Sequence, residues 1–288
     1  MPTFETPGNV TLRVRLASGR VVVTTSDEPR TTVDLVPHGR GGDDRVENVD
    51  VSVAEHRRGH VITVEEKDRI RWGPIRITWG GDVEVRIACP VGADLDLSGG
   101  STDLRVDGSL NEVSARSASG DIRLGTVTGE LQLKTASGDV SVDAVEEEGT
   151  VVTVSGDVDI GRTERALDVR SVSGDVEVGE VRDALTVAST SGDVDLRDVE
   201  AGEVRIQTIS GDARIAVARG TRVWIDATSV SGDLRSDLGI SDSVTPSDEA
   251  PEQGSSETEG AAGEVVPLHV KTVSGDVAIV RAATSLAR

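Results

Sequence analysis

Ser-Gly-Asp is the tripeptide of this 288-residue sequence whose side chains could do chemistry. A serine hydroxyl and a carboxylate could form part of a nucleophilic site if a general base such as histidine completed it. The tripeptide occurs eight times, with its aspartates at positions 121, 139, 157, 175, 193, 212, 233 and 276. No histidine accompanies it in the repeat, and an active site is normally a single place. We therefore predict no catalytic residue and no enzyme.

The spacing of the tripeptide indicates a structural repeat instead. The first five aspartates lie 18 residues apart, the next intervals are 19, 21 and 43, and a degenerate copy, SGGSTD, places Asp103 18 residues before Asp121. Glycine accepts the positive φ of a sharp corner, and an aspartate carboxylate can accept hydrogen bonds from nearby turn amides. The recurring serines and threonines before the corner are expected to point inward and to bond to neighbouring coils. Ser-Gly-Asp is thus predicted to be a corner.

Apolar residues alternate with polar ones on both sides of each corner, as in TVSGDVDI and SVSGDVEV, so each unit is predicted to be strand, corner, strand. A unit of 18 residues cannot bury its own apolar face, and successive units must stack. The predicted fold is all-β: a single-stranded, right-handed β-solenoid (β-helix) with coils of about 18 residues, on the order of 40 Å long over the repeats.

Stacking would also place the aspartates in a column, which raises the possibility of calcium. Neighbouring carboxylates about 4.8 Å apart repel by ~1 kcal/mol even in water, and a cation would relieve this. However, the chain lacks the nonapeptide of calcium β-rolls, and one aspartate per corner does not readily supply the 6–8 oxygens that Ca²⁺ prefers. We predict no metal ligand and no cofactor, with a calcium-binding β-roll as an alternative.

Other chemistry-bearing residues have simpler interpretations. His56 and His60 have the i, i+4 spacing that would let them share a metal on a helix, but Gly59 indicates a turn between them, so a helix is not expected there. Trp72 and Trp79 are predicted to pack in a hairpin or end cap, with an aromatic contact surface as the alternative. Trp224 is a candidate contact residue. The single cysteine excludes an internal disulfide and a cysteine metal cluster.

One outward position of the repeat is largely apolar. It is the residue before the repeated serine, and its side chains become larger toward the C-terminal end: Ala118, Ala136, Val154, Val172, Thr190, Ile209, Val230 and Val273. Such a row indicates either a contact surface or a flank covered by loops or by an inserted segment. The sequence leaves both open.

The chain is divided into four parts. Residues 1–92 alternate without the 18-residue frame and are predicted to form irregular N-terminal β-coils or a cap. Residues 93–238 are the regular solenoid, 239–264 an acidic, disordered loop insertion, and 265–288 the final coil with a C-terminal tail. No hydrophobic leader and no apolar run of ~20 residues is present, so a soluble cytoplasmic protein without direct membrane insertion is expected.

The net charge limits the classes of molecule that the protein is expected to bind. With 51 acidic and 30 basic residues, the formal net charge is −21, which disfavours nucleic acid and anionic lipid. Aromatic residues for stacking on single-stranded nucleic acid are also scarce. A protein partner or self-association is the remaining expectation.

The sequence resembles the bacterial and archaeal "putative adhesin" β-strand repeat family, originally a domain of unknown function. The resemblance rests on the serial S-G-D-[VI]-x-[VIL] units, on the V/L-x-V-x-[ST]-x-S segments and on the opening LASGRVVVTTSDEPRTTVDLV. The resemblance implies a β-solenoid without known catalytic residues, often attached to membrane-linked or regulatory segments. Cell-surface association follows only from the family label. The predicted function is a non-enzymatic interaction scaffold of adhesin type that binds a protein partner. The alternatives are a self-assembling element like the bactofilins, or a calcium-binding β-roll.

Overall fold

The computed structural model describes residues 2–56, 59–67, 82–238 and 265–282. Within them lie 24 strands and one five-residue helix, α1 (Gly42–Val46). The acidic segment 239–264, Trp72 and Trp79 fall outside the described residues. The strands before the regular repeats are β1 (Thr3–Glu5), β2 (Asn9–Ser26), β3 (Arg30–His38), β4 (Val49–His56), β5 (Gly59–Glu66) and β6 (Asp82–Pro90).

The repeats form coils of two principal strands, one on each side of the Ser-Gly-Asp corner. The coil that leads into them contains β7 (Asp94–Asp107) and β8 (Ser109–Leu110). The strands before each corner are β9 (Val113–Ser119), β11 (Leu131–Ser137), β13 (Gly149–Val152), β15 (Leu167–Ser173), β17 (Leu185–Ser191), β19 (Val204–Gln207), β21 (Arg222–Ser231) and β23 (Val265–Ser274). The strands after it are β10 (Ile122–Val127), β12 (Val140–Val145), β14 (Val158–Thr163), β16 (Val176–Val181), β18 (Val194–Val199), β20 (Ala213–Val217), β22 (Leu234–Ser236) and β24 (Val277–Arg281).

Equivalent strands of successive coils pair in parallel, and the 18-residue period sets their register. Leu133 pairs with Val151, and Val169 with Val187, so identical positions of the repeat lie above one another. These inward side chains are fully buried. Burial of each Val or Leu contributes about 1.5–3 kcal/mol, which lets a chain almost without aromatics build a continuous core. The all-β solenoid with coils of about 18 residues is confirmed; its right-handedness and the four-part division of the chain remain predictions.

Stacking order and chain order differ at the N-terminal end. Strand β2 is a complete coil by itself, and it lies between β7 on one side and β5 with β6 on the other. Antiparallel strands then cover the outer edges: β4 pairs with β5, β3 with β6, and β1 with β3. This end of the stack is closed by strands that cannot continue the parallel pattern.

The order is also inverted at the C-terminal end. Strands β23 and β24 pair with β19 and β20 on one side and with β21 and β22 on the other. The coil of residues 265–281 therefore lies inside the stack, although it comes last in the chain. The coil of β21 and β22 is the outermost one, and among the described residues its outer edge has no partner strand. Its inward side chains Val223, Ile225 and Ala227 are accordingly only partly buried.

Candidate interaction surface

The glycine of each corner is required by the close approach of two coils. Gly174 has a φ of 121°, and a Cβ added there would lie 2.2 Å from the carbonyl oxygen of Gly156 in the preceding coil. Both the backbone conformation and the contact exclude a side chain. The same geometry recurs at Gly192, where the nearest atom is the carbonyl oxygen of Gly174.

The aspartates of the corner form a hydrogen-bonded column, which we call the Asp ladder. The backbone N–H of Asp193 donates to Oδ1 of Asp175 at 2.8 Å, and the N–H of Asp175 donates to Oδ1 of Asp157 at 2.9 Å. In stacking order the ladder comprises Asp103, Asp121, Asp139, Asp157, Asp175, Asp193, Asp212, Asp276 and Asp233. Each carboxylate but the last thus joins its coil to the next one, and the corner function predicted from sequence has a direct physical basis.

The prediction that the serines and threonines before the corner point inward is confirmed for the position two residues before the tripeptide serine, as in Thr135 and Ser189, but wrong for the tripeptide serines themselves, as in Ser137 and Ser191, which are exposed. Several of the buried hydroxyls bond within their own coil. The Oγ1 of Thr135 donates to the carbonyl of Ser137 at 3.2 Å, and the Oγ of Ser189 donates to the carbonyl of Ser191 at 3.3 Å. The expectation of bonds to neighbouring coils is wrong for these two residues, because the chain bends at the corner and brings its own carbonyl closest.

Ser229 does reach the adjacent coil, at the carbonyl of Gly275, and Ser117 reaches the carbonyl of Thr102 at 3.4 Å. The hydroxyls of Thr153, Ser171 and Thr272 are buried without a hydrogen-bond partner among the described atoms.

The predicted metal and aromatic candidates lie in different places. His56 and His60 stand at the ends of the antiparallel pair β4 and β5, which places them across a hairpin rather than on a helix. Within the described ranges, no three His, Cys, Asp or Glu residues are grouped so as to hold a metal ion. Trp224 lies on the outermost coil with 53% of its surface exposed, and its ring meets that of His269 edge-on at 5.2 Å.

The apolar row lies on the outward face of the sheet formed by the strands that precede the corner. Its larger side chains are about half exposed or more with respect to the described residues: Val154 50%, Val172 49%, Ile209 55%, Val273 49% and Val230 78%. In stacking order the row, called the stripe below, is Ala118, Ala136, Val154, Val172, Thr190, Ile209, Val273 and Val230. No described loop covers these five side chains.

A row of cations runs beside the stripe, two residues earlier in each strand. Strand register aligns Arg116 with Lys134 directly, and Arg170 and Lys271 lie in the same column. These four residues are called the basic column. Arg170 is bonded to Asp168 at 2.9 Å, whereas Arg116, Lys134 and Lys271 form no ion pair with any described residue. In the sequence the 18-residue frame aligns Arg116, Lys134 and Arg170, but Val152, Ala188 and Gln207 interrupt the column, and Lys271 joins it only through the stacking order of the coils.

The opposite edge of the coils is acidic. Arg182 lies within 3.3 Å of carboxylate oxygens of Glu164, Glu180 and Glu200. Nearby, burial and then the negative charges of Glu200 and Glu180 raise the pKa of Asp198 above its ordinary value. Its Oδ1 is buried and has no hydrogen-bond partner among the described atoms. Glu164, Glu180, Glu200 and Asp198 thus form a second acidic surface at this edge, in addition to the Asp ladder at the corner.

The fold defines the class as an all-β, parallel-stranded solenoid of short, closely similar coils. The family model described as "Toastrack DUF4097" matches residues 9–280, and the chain belongs to this family. The membership confirms the resemblance inferred from the repeats. No curated protein matches the chain.

Solved structures of similar proteins carry adhesin names. A putative adhesin from Bacteroides fragilis shares 13% identity with a TM-score of 0.41, over 97% of this chain and 95% of that one. One from Parabacteroides distasonis shares 12%, with a TM-score of 0.40 over 96% of both chains. A putative cell adhesion protein from Clostridium sporogenes shares 9%, with a TM-score of 0.23 over 96% of this chain and 93% of that one. Likenesses this low carry no functional argument.

In the part of the chain that the structure describes, no helix has the length and apolar character needed to cross a membrane. The cytoplasmic location remains a prediction.

Proposed function

We propose that the chain is a non-enzymatic β-solenoid scaffold of adhesin type, which binds a protein partner on the outward face that carries the stripe. The observation that carries this proposal is the run of exposed Val154, Val172, Ile209, Val273 and Val230 along one sheet. Contiguous exposed apolar residues rimmed by polar ones are typical of interaction surfaces, because their burial in a complex removes apolar area from water.

The surrounding chemistry favours a protein over other macromolecules. The net charge of −21 repels polyphosphates and anionic headgroups over the Debye length, about 8 Å at physiological salt. The flat sheet face and the branched side chains of the stripe suit shape-complementary packing against another polypeptide. The recurrence of the tripeptide in successive coils, with no histidine directly beside its serine, supports a binding role over catalysis.

The proposal is tested with the whole chain as immobilised bait in lysate of its source. Val172→Asp with Ile209→Asp places two charges on the stripe. The matched control, Ser141→Asp with Ala278→Asp, adds the same charge to outward positions of the strands after the corner. We expect a defined polypeptide to be retained by the wild type and the control and lost with the stripe variant. Identical retention by all three proteins would contradict the proposal.

A self-assembling element is the second candidate, and one observation favours it. Strands β21 and β22 each have a single partner strand among the described residues, so their outer edges offer free backbone groups. Growth of the rod without limit would require this edge to pair with the antiparallel strands at the other end of a second copy. Sedimentation velocity decides: end-to-end growth predicts a weight-average sedimentation coefficient that keeps rising with concentration, and a plateau at monomer or dimer contradicts it.

A further inference from the structure

The basic column is unusual for a protein with this charge. Acidic residues outnumber basic ones by 51 to 30, so carboxylates are available on most of the surface. Nevertheless Arg116, Lys134 and Lys271 are exposed and have no ion-pair partner among the described residues. Cations that stand unpaired in one column, beside an exposed apolar row, indicate a partner that brings its own carboxylates in a column.

This chain itself presents such a column. The stripe is bordered on one side by the basic column, two residues earlier, and on the other side by the Asp ladder, three residues later around the corner. A spacing of two residues along a strand is about 6.7 Å. Most of the ladder aspartates are exposed, and among the described residues Asp139 and Asp276 use only Oδ1, for the backbone of the next coil, whereas Oδ2 of Asp121 also accepts a hydrogen bond from Arg123 at 3.1 Å. The surface therefore has positive, apolar and negative columns side by side, all with the same coil spacing.

We propose that the partner on the stripe is a second copy of this chain, lying parallel and side by side with the first. A two-fold axis along the rod packs stripe against stripe and places each basic column against the other copy's Asp ladder. In the units that carry an unpaired cation, Arg116 then faces Asp121, Lys134 faces Asp139, and Lys271 faces Asp276 of the second copy. The inference rests on the proposed function, because it uses the same stripe and names its occupant.

The opposite arrangement of two rods is disfavoured by charge. A two-fold axis perpendicular to the rod also packs stripe on stripe, but it places basic column against basic column and Asp ladder against Asp ladder. In a stack of eight coils it brings Lys134 opposite Lys271. Like charges facing each other across an interface oppose association, so the parallel dimer is selected.

The size of the contact predicts a reversible dimer. Eight coils about 4.8 Å apart and three columns about 7 Å apart cover roughly 38 by 14 Å, or about 500 Å² on each copy. The total of about 1,000 Å² lies at the lower limit for specific interfaces. We therefore expect monomer and dimer to exchange at micromolar concentrations rather than to form a permanent assembly.

Thiol cross-linking of the full chain tests the arrangement. Facing sheets pack about 10 Å apart, too far for a disulfide, so a short bis-maleimide is the reagent. Ala118→Cys and Val230→Cys mark the two ends of the stripe, and Ser141→Cys is the control on the other sheet. The native Cys89 does not interfere, because it is fully buried and burial raises the pKa of its thiol to about 12.

The parallel dimer predicts that Ala118→Cys and Val230→Cys each cross-link with itself, at least tenfold more than Ser141→Cys. Cross-linking only in a mixture of the two variants would establish the antiparallel rod pair and overturn the proposal. Cross-linking of all three variants at one rate, or none above the control, would also overturn it. The binding experiment with Val172→Asp and Ile209→Asp judges the proposed function separately, since a foreign partner lost with that variant would leave the stripe functional without self-pairing.

Charge reversal provides a second readout that misfolding cannot imitate. Lys134→Asp with Lys271→Asp would bring carboxylates against the second copy's Asp139 and Asp276, and we expect at least a tenfold weaker dimer by sedimentation equilibrium. Added salt screens the repulsion between two strongly acidic chains in both proteins, with a net charge of −21 in the wild type, but only in the wild type does it also screen the attraction of Lys134 and Lys271 to the Asp ladder. We therefore expect salt to favour the dimer of the variant more than that of the wild type, and equal salt dependence in both would contradict the charge pairing.

Discussion

Each aspartate of the corner serves two coils. The backbone N–H of Asp175 donates to Asp157, and Oδ1 of Asp175 accepts the N–H of Asp193. The carboxylate thus takes the place of the backbone carbonyl that would accept this N–H in a regular parallel sheet, at a point where the backbone turns away. A buried or partly buried amide left without an acceptor costs about 1–3 kcal/mol, more than the ~1 kcal/mol by which neighbouring carboxylates repel in water. The hydrogen bond explains why like charges can be stacked at this spacing.

Asp175→Ala should therefore lower the free energy of unfolding by about 1–3 kcal/mol, because the amide of Asp193 loses its acceptor. Asp175→Asn keeps an oxygen in the same place and should cost less. Denaturant unfolding measures both. The control is Asp233→Ala, since Asp233 ends the ladder and its carboxylate accepts no backbone N–H among the described residues; its effect should stay below about 1 kcal/mol. Equal losses at both positions would contradict the ladder's role.

The raised pKa of Asp198 predicts that the stability of the protein depends on pH. Its pKa is raised by burial and by Glu200 and Glu180, so the folded state binds a proton more readily than the unfolded state. The contribution of Asp198 to the free energy of unfolding is therefore greatest below its ordinary pKa of 3.8, and it is lost as the pH rises through the raised pKa of the folded state. Asp198→Asn should thus stabilise the protein at pH 7 and have a smaller effect at pH 4. Denaturation midpoints at both pH values test this against Asp195→Asn, and a pH-independent difference would refute it.

At the scale of the coils, the main feature is that their order in the stack differs from their order in the chain. The last segment of the chain, β23 and β24, lies between two other coils, and the first long strand, β2, lies one coil in from the opposite end. Chain termini usually fray because they have few partners. Here β2, β23 and β24 have partner strands on both of their edges, so the outer edges of the stack are formed by β21 and β22 at one end and by β1 and β4 at the other.

This arrangement predicts slow amide exchange close to the C-terminus. The amides of Val270 and Val277 lie in strands with partners on both sides, whereas β21 and β22 have one partner strand each. Hydrogen–deuterium exchange should therefore be slower in β23 and β24 than in β21 and β22, although the former lie nearer the chain end. If exchange instead followed distance from the C-terminus, the stacking order would be wrong.

The 18-residue period predicts which residues of each coil point inward or outward, but it does not predict which coils lie next to each other in the stack. The 18-residue spacing identifies which residues point inward, such as Val151 and Val169, because alternation is a local property. It also predicts the outward stripe. The position of residues 265–281 could not be predicted, since all coils present similar Val and Leu columns to either side and the coil fits equally well before or after that of Asp233. The unpaired state of Lys134 likewise depends on contacts between coils.

At the scale of the whole rod, its two ends and its sides differ in chemistry. Antiparallel β3 and β4 close one end, and the parallel coil of β21 and β22 forms the other. One long edge concentrates glutamates around Arg182, while the sheet with the stripe carries unpaired cations. A rod with this asymmetry can join a copy of itself along the side while its acidic edge stays in water, where net charge favours solubility.

The calcium alternative also belongs to the whole rod, because it would involve every carboxylate of the Asp ladder. In each corner except the last, one carboxylate oxygen is already an acceptor for the next coil, which leaves at most a single oxygen per coil for a cation that prefers 6–8. We expect the melting temperature measured by circular dichroism to be the same in EDTA and in millimolar calcium. Magnesium at equal ionic strength controls for screening of the net charge of −21. A rise of many degrees with calcium alone would make the ladder a metal site, because only a ligand bound to the folded state stabilises it in this way.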